Sequence, residues 1–249
     1  MKHWHQRTPK RAAGQESEDA DMDIDTTRPY AVVTGDVIGS SALSDKDRKA
    51  LYAAMAGASR ALRADFGGWL PLDVEIFRGD SWQMLVSGPE QALRLALLYR
   101  LHVSTALEGT VDTRMALGMG NVSFLPGDRV GEGEGTAFRL SGRALERMPA
   151  YSAAWIEVDQ VLGLDSELLQ SAVVLLDAVV SQWTAKRALA AYGALQGWRQ
   201  QRIATLWDPP VAQQTVAEYL GRARWQSVQH FLRVFRDKVS ASDLLTTGL

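Results

Sequence analysis

Val74-Glu75-Ile76-Phe77-Arg78-Gly79-Asp80-Ser81-Trp82-Gln83-Met84-Leu85-Val86 reads as two strand-like runs joined by a tight turn, a β-hairpin. Helical spacing lies on either side of it. Upstream, Leu51, Met55, Ala58, Leu62 and Phe66 recur every three or four residues. Downstream, Ala92, Leu95, Ala96, Tyr99 and Val103 supply the apolar face of a second helix. A hairpin between two helices defines a split βαβ arrangement, an α+β fold with an antiparallel-containing sheet and helices packed on one face. A doubly wound parallel sheet would need a helix between Ile76 and Met84, where only a turn fits.

Outward from the hairpin the same alternation continues. Tyr30-Ala31-Val32-Val33-Thr34 is a short apolar strand ending at Gly35-Asp36. Ser44-Asp45-Lys46-Asp47 resembles a capping box and opens the first helix, which Gly67-Gly68 closes. Pro89 starts the second helix at a favoured position. Thr113 to Gly120 is a further strand, Gly127 to Gly135 a loop, Ala137 to Met148 a third helix, and Trp155 to Val158 a last strand.

The two Gly-Asp pairs, Gly35-Asp36 and Gly79-Asp80, place carboxylates at strand ends that this topology makes neighbours. Two converging carboxylates suit Mg²⁺ or Mn²⁺, hard cations that take oxygen ligands and leave positions for phosphate. Asp36 and Asp80 are therefore the candidate metal ligands. Gly35 and Gly79 would let the backbone approach a ligand. Val37, Gly39 and Ser40 would offer N–H groups to phosphate. Arg78, Arg139 and Arg143 are candidate phosphate contacts, because the guanidinium fork matches phosphate oxygens. Glu132 and Glu134 read as solubilising loop residues and His102 as structural.

Composition limits the alternatives. The chain has 249 residues, 46% of them hydrophobic, and a net charge of −2. The lack of cysteine excludes disulfides, thiolate metal sites and a cysteine nucleophile, and fits a cytoplasmic setting. No apolar run reaches the ~18 residues of a membrane span, so no membrane partner is expected. Residues 1–28, a basic block followed by an acidic one, read as a disordered tail. The fold described above occupies 29–163.

From 164 to 249 only helical periodicity remains. Between Trp183 and Lys238 nine Lys and Arg face three acids, an excess of six positive charges hidden by the near-neutral total. Ala212 to Gly221 reads as the first helix of a helix-turn-helix and Arg224 to Leu232 as its recognition helix. Val228, Phe231 and Leu232 would point inward. Arg224, Gln226, Ser227 and Gln229 would reach base edges, and Arg222, Arg233 and Arg236 phosphates. A helical bundle for dimerisation or for docking on the preceding domain is the alternative.

Val33-Thr34-Gly35-Asp36-Val37-Ile38-Gly39-Ser40 resembles the first metal motif of class III nucleotidyl cyclases, and Phe77-Arg78-Gly79-Asp80-Ser81 resembles the second. Asp112 to Gly120 is similar to the cyclase strand that ends in a glycine-containing turn. The stretch Gly133 to Glu146 is similar to the glycine-rich loop and helix of the SatD-like family of bacterial proteins. That family pairs a related palm-like fold with a C-terminal helix-turn-helix. The resemblance implies a cyclase/ferredoxin-like palm domain with Asp36, Asp80 and Arg143 as its catalytic positions. Cyclases carry a purine-selecting lysine four residues before the second aspartate, where Ile76 stands here. They also carry an asparagine one helical turn before the arginine, where Arg139 stands. The expectation is a regulatory protein with a metal–nucleotide ligand in the palm and DNA or a protein partner on the C-terminal module, with a homodimer also possible. The alternatives are an active cyclase or nucleotidyltransferase using two divalent metals, and a non-catalytic interaction scaffold.

Overall fold

The computed structural model describes residues 24–246 except Arg78 and Asp128, so most of the tail expected at 1–28 lies outside the described residues. Strand β1 (Tyr30–Ile38) leads through a 3₁₀ turn to helix α1 (Asp45–Phe66). The hairpin β2 (Glu75–Phe77) and β3 (Ser81–Val86) follows, then α2 (Ala92–Ala106), β4 (Asp112–Gly120), α3 (Thr136–Arg147) and β5 (Ala154–Val158). The sheet order is β2-β3-β1-β4-β5. β1 runs antiparallel to both neighbours, β2 and β3 pair antiparallel, and only β4 and β5 are parallel. This is the split βαβ arrangement that the hairpin implies, extended by one parallel strand after α3.

The local signals act as expected at α1. The Ser44 hydroxyl accepts from the Asp47 N–H at 3.2 Å and donates to the Asp47 carboxylate at 2.7 Å. The buried stripe is Leu51, Met55, Ala58, Leu62 and Phe66. It meets Ala31, Val33, Trp82, Met84 and the almost wholly buried α2 in one core. The Trp82 and Tyr99 rings lie 4.4 Å apart at its centre.

The expectation of helices on one face needs correction. α1 and α2 cover one face, and α3 lies on the other. β1 foreshadows this: Tyr30 and Val32 alternate with Ala31 and Val33, yet all four are buried, which is the signature of a strand covered on both sides. α3 sits very close to the sheet. A Cβ on Gly118 would come within 2.2 Å of the Ala137 carbonyl oxygen and 2.3 Å of the Ser141 nitrogen. The Thr34 and Ser141 hydroxyls bond across the same interface at 3.0 Å.

The remaining chain is helical: α4 (Ser166–Val180), α5 (Ala185–Leu195), the short α6 (Gln200–Ile203), α7 (Gln213–Arg222) and α8 (Trp225–Thr246). Val173 and Leu176 of α4, Ala191 and Leu195 of α5, and Val228, Phe235 and Val239 of α8 join the same hydrophobic cluster as β1, β4 and α2. A second cluster holds α5, α6 and α7 together through Ala190, Ile203, Val216 and Leu220. His102 of α2 reaches Tyr192 of α5, Nδ1 to hydroxyl at 3.3 Å.

Burial holds the His102 imidazole below its ordinary value of 6.5, so it stays neutral in the folded chain. The unfolded chain takes up that proton first. Stability from this site is therefore present above pH 6.5 and is lost as pH falls towards the depressed folded value. Thermal unfolding between about pH 5 and 8 is expected to show a steeper acid-side loss for the native chain than for His102→Gln. Parallel profiles would contradict it.

Candidate functional site

β1 does not stop at Gly35. It runs three residues further, because β3 and β4 flank it on both sides and keep its ladder filled. Asp36 pairs in register with Ser81 and Arg114, and the Val37 N–H donates to the Asp80 carbonyl at 3.1 Å. The Asp36 backbone is fixed from the core side. Trp82 Nε1 donates to the Thr113 hydroxyl at 2.9 Å, which donates to the Asp36 carbonyl at 2.7 Å. Gly35 belongs to this packing and not to a ligand surface: a Cβ there would lie 2.3 Å from the Arg114 carbonyl oxygen and 2.4 Å from the Trp82 ring.

At the end of these strands opens a cleft of about 820 Å³ lined by Asp36, Val37, Gly39, Ser40, Asp80 and Ser81, and also by Asp112, Arg114, Tyr151 and Asp177. Asp36 and Asp80 thus share one cleft. Gly39 (φ 77°) and Gly79 (φ 82°) take the left-handed conformation that turns the chain at its rim. The Ser40 hydroxyl donates to the Asp80 carboxylate. Asp36 is engaged by a group that sequence reading passed over. Arg114 donates to it through both Nε, at 2.8 Å, and Nη2, a bidentate ion pair with the Asp36 side chain 26% exposed. Hydrogen bonding to Asp36 raises the Arg114 guanidinium above the usual arginine value.

Beneath the cleft lies a buried charge network. Arg100 of α2 donates to Asp112 through Nε (2.7 Å) and Nη2 (2.6 Å), and to Asp177 of α4 through Nη1 at 2.6 Å. Asp177 also accepts from the Ala153 N–H at 2.7 Å, at the entrance to β5. Burial opposes the Arg100 charge, but the two carboxylates outweigh it and raise the guanidinium above its ordinary value. Four carboxylates therefore surround the cleft (Asp36, Asp80, Asp112 and Asp177) against the guanidinium groups of Arg114 and Arg100. The balance of these groups is two negative charges, and Asp80 is the one carboxylate of the four that has no ion pair among the described residues. Hard oxygen donors with surplus negative charge fit a divalent cation. Asp80, the Ser40 hydroxyl and Asp36 are the groups that would hold it, although Arg114 engages Asp36 and no group of three or more His, Cys, Asp or Glu placed to hold a metal ion occurs among the described residues.

The other expected contacts fall elsewhere. Arg139 is exposed on α3 and donates to the Thr136 hydroxyl at 3.1 Å. Arg143 is captured by Glu157 of β5 at 2.6 Å. Neither lines the cleft, because α3 lies flat on the sheet and Arg143 meets β5 at its edge. Arg78 lies outside the described residues. Glu132 is paired with Arg129 at 2.8 Å in the loop before α3, as a solubilising residue would be.

In the C-terminal module, α7 and α8 are joined through Ala223 and Arg224. Arg224 stands in the turn at φ 56°, one residue before α8 begins. Val228 is buried and Phe231 and Leu232 are half-buried, while Gln226, Ser227, Gln229 and Arg233 are exposed. Arg222 pairs with Glu218 at 2.7 Å.

No protein-family model matches the chain, and no curated protein sequence matches it. Among solved structures it is similar to the guanylyl cyclase Cya2, with 16% identity and a TM-score of 0.36 over 52% of this chain and 74% of that one. It is also similar to the catalytic core of a rhodopsin-guanylyl cyclase with converted specificity, solved in complex with ATPαS. Here the identity is 17% and the TM-score 0.40, over 53% of this chain and 78% of that one. The SatD-like resemblance rests on the sequence motifs alone. Among the described residues, no helix is long and apolar enough to cross a membrane.

Proposed function

We propose that this chain is a regulatory protein that binds a nucleotide together with Mg²⁺ or Mn²⁺ in the Asp36–Asp80 cleft. The α7–α8 module would transmit occupancy to DNA or to a protein partner. The observation that carries the reading is the sharing of one cleft by Asp36, Asp80 and Asp177. Asp36 belongs to β1 and Asp80 to the turn before β3; the third belongs to α4, the helix that leads into the C-terminal module. Surplus negative charge at the cleft favours a nucleotide that arrives with its cation over a bare triphosphate. Tyr151, 78% exposed at the rim, offers a ring on which a base can stack.

Catalysis by two metals is less well supported. Both oxygens of Asp36 are engaged by Arg114, and Arg143 is engaged by Glu157. Ile76 and Arg139 stand where a cyclase carries lysine and asparagine.

The test is thermal unfolding of the full chain with Mn²⁺ and each nucleoside triphosphate, alongside mass spectrometry of the products. One nucleotide at about a hundred times its Kd is expected to add about 2.7 kcal/mol, roughly 5–10 °C. Asp80→Asn should abolish the shift, and no new product should form. A cyclic or linked nucleotide made by the native chain and lost in Asp80→Asn would establish the enzyme instead. No shift with any nucleotide would remove the ligand reading. For the C-terminal module, retention of duplex DNA should weaken with salt and with Arg224→Ala.

A further inference from the structure

A second cleft, of about 620 Å³, lies between α8 and the packed ends of α2 and α5, remote in the fold from Asp36 and Asp80. Arg94, Arg233, Arg236, Gln226 and Gln229 line it, with Glu90 as the only acid among its lining residues. Arg94 is the informative member. Its Nε and Nη2 donate to the Leu195 carbonyl at 2.9 and 2.7 Å, closing the C-terminal end of α5. Its guanidinium also stacks over the Phe66 ring, 5.0 Å from the centroid. Among the described residues no carboxylate lies within ion-pair reach of it. Burial, and then the like charge of Arg236, hold the Arg94 guanidinium below the ordinary arginine value.

A half-buried, rigidly held cation near a second cation is unfavourable, although Arg236 itself donates through Nε and Nη2 to the Asp237 carboxylate at 3.0 and 2.7 Å. A multivalent anion reverses the sign of that interaction. Guanidinium forks from α2 and α8, flanked by the amides of Gln226 and Gln229, match phosphate oxygens better than a single carboxylate. The volume suits a small molecule. We propose that this cleft is a binding site for a small phosphate-bearing anion, held between Arg94 of α2 and Arg233 and Arg236 of α8. Such a ligand would bridge the sheet-bearing part of the chain and the last helix. It would also occupy the face of α8 that carries Gln226, Gln229 and Arg233, so its binding and base contact by those residues are mutually exclusive.

The experiment is isothermal titration of the full chain with pyrophosphate and, separately, with ADP, both in EDTA so that no divalent cation supports the first cleft. The native chain should bind at least one of them. Arg236→Gln and Arg233→Gln, both exposed positions, should each weaken binding about tenfold, the size expected for one charge-assisted contact. Asp80→Asn should leave it unchanged, which separates this site from the first. Pyrophosphate binding as tightly as ADP assigns the site to free phosphate groups; tighter binding of ADP assigns it to a nucleotide. No binding of either ligand would overturn the proposal, as would binding indifferent to Arg233 and Arg236 or lost only in Asp80→Asn. Protection of these arginines by duplex DNA while pyrophosphate fails to bind would overturn it in favour of nucleic acid.

Discussion

Replacing Arg100 by methionine is expected to destabilise the fold by about 3–5 kcal/mol. The Arg100 side chain is 2% exposed and that of Asp177 is 4% exposed, so both charges sit in the interior. Their mutual attraction and the Ala153 N–H bond to Asp177 offset the cost of leaving water. Methionine restores most of the volume but leaves the Asp177 carboxylate buried without a cation. The change should appear as a drop of about 10 °C in the thermal midpoint and a matching shift in a urea titration. Arg100→Lys should recover only part of the loss, since a single ammonium cannot reproduce three N–H bonds to two carboxylates. A loss below about 1 kcal/mol would mean that Asp177 finds compensation elsewhere.

Phe235→Ala is expected to cost about 3–5 kcal/mol, and to cost it throughout the molecule. Phe235 is 1% exposed on α8, in the cluster that also contains Val33, Trp82 and Leu117 of the sheet. Truncation opens a cavity on the core side of α8. Because these elements share that core, native-state hydrogen exchange should show the amides of β1 and β4 losing protection together with those of α5 and α8. Loss confined to the helices would show that the C-terminal module unfolds as a separate unit.

Much of the sheet was legible because its signals are local. The Arg78–Ser81 turn, the Ser44 cap and the two helical stripes each depend on a few consecutive residues, and together they leave one order of elements. The boundary of β1 was not legible. Nothing in Asp36-Val37-Ile38 says that two longer neighbours will keep those residues paired. The second helical layer was missed for a related reason. Tyr30 and Val32 announce a covered face, but only the close approach at Gly118 shows that α3 provides the cover.

The candidate site divides the same way. Asp36 and Asp80 can be named from strand ends and turn chemistry. Arg114 cannot, because its meaning comes from register: it stands opposite Asp36 across an antiparallel pair. Asp177 is further still from any local signal, since it reaches the cleft from a helix that begins after the sheet is complete. Arg143 can be named from a motif match, whereas its pairing with Glu157, fourteen residues later on β5, is visible only in the fold.

By itself the sequence determined the split βαβ order, the helical nature of the C-terminal third and the two aspartates worth naming, because periodicity, caps and turns are properties of neighbouring residues. Tertiary structure alone decided that Arg114 claims Asp36, that Arg100 ties α2, β4 and α4 under the cleft, and that α8 closes a basic cleft against Arg94. Those are meetings between residues as much as 142 positions apart, from Arg94 to Arg236. Ion pairs and clefts of that kind depend on strand register and helix packing, which no short stretch of chain encodes.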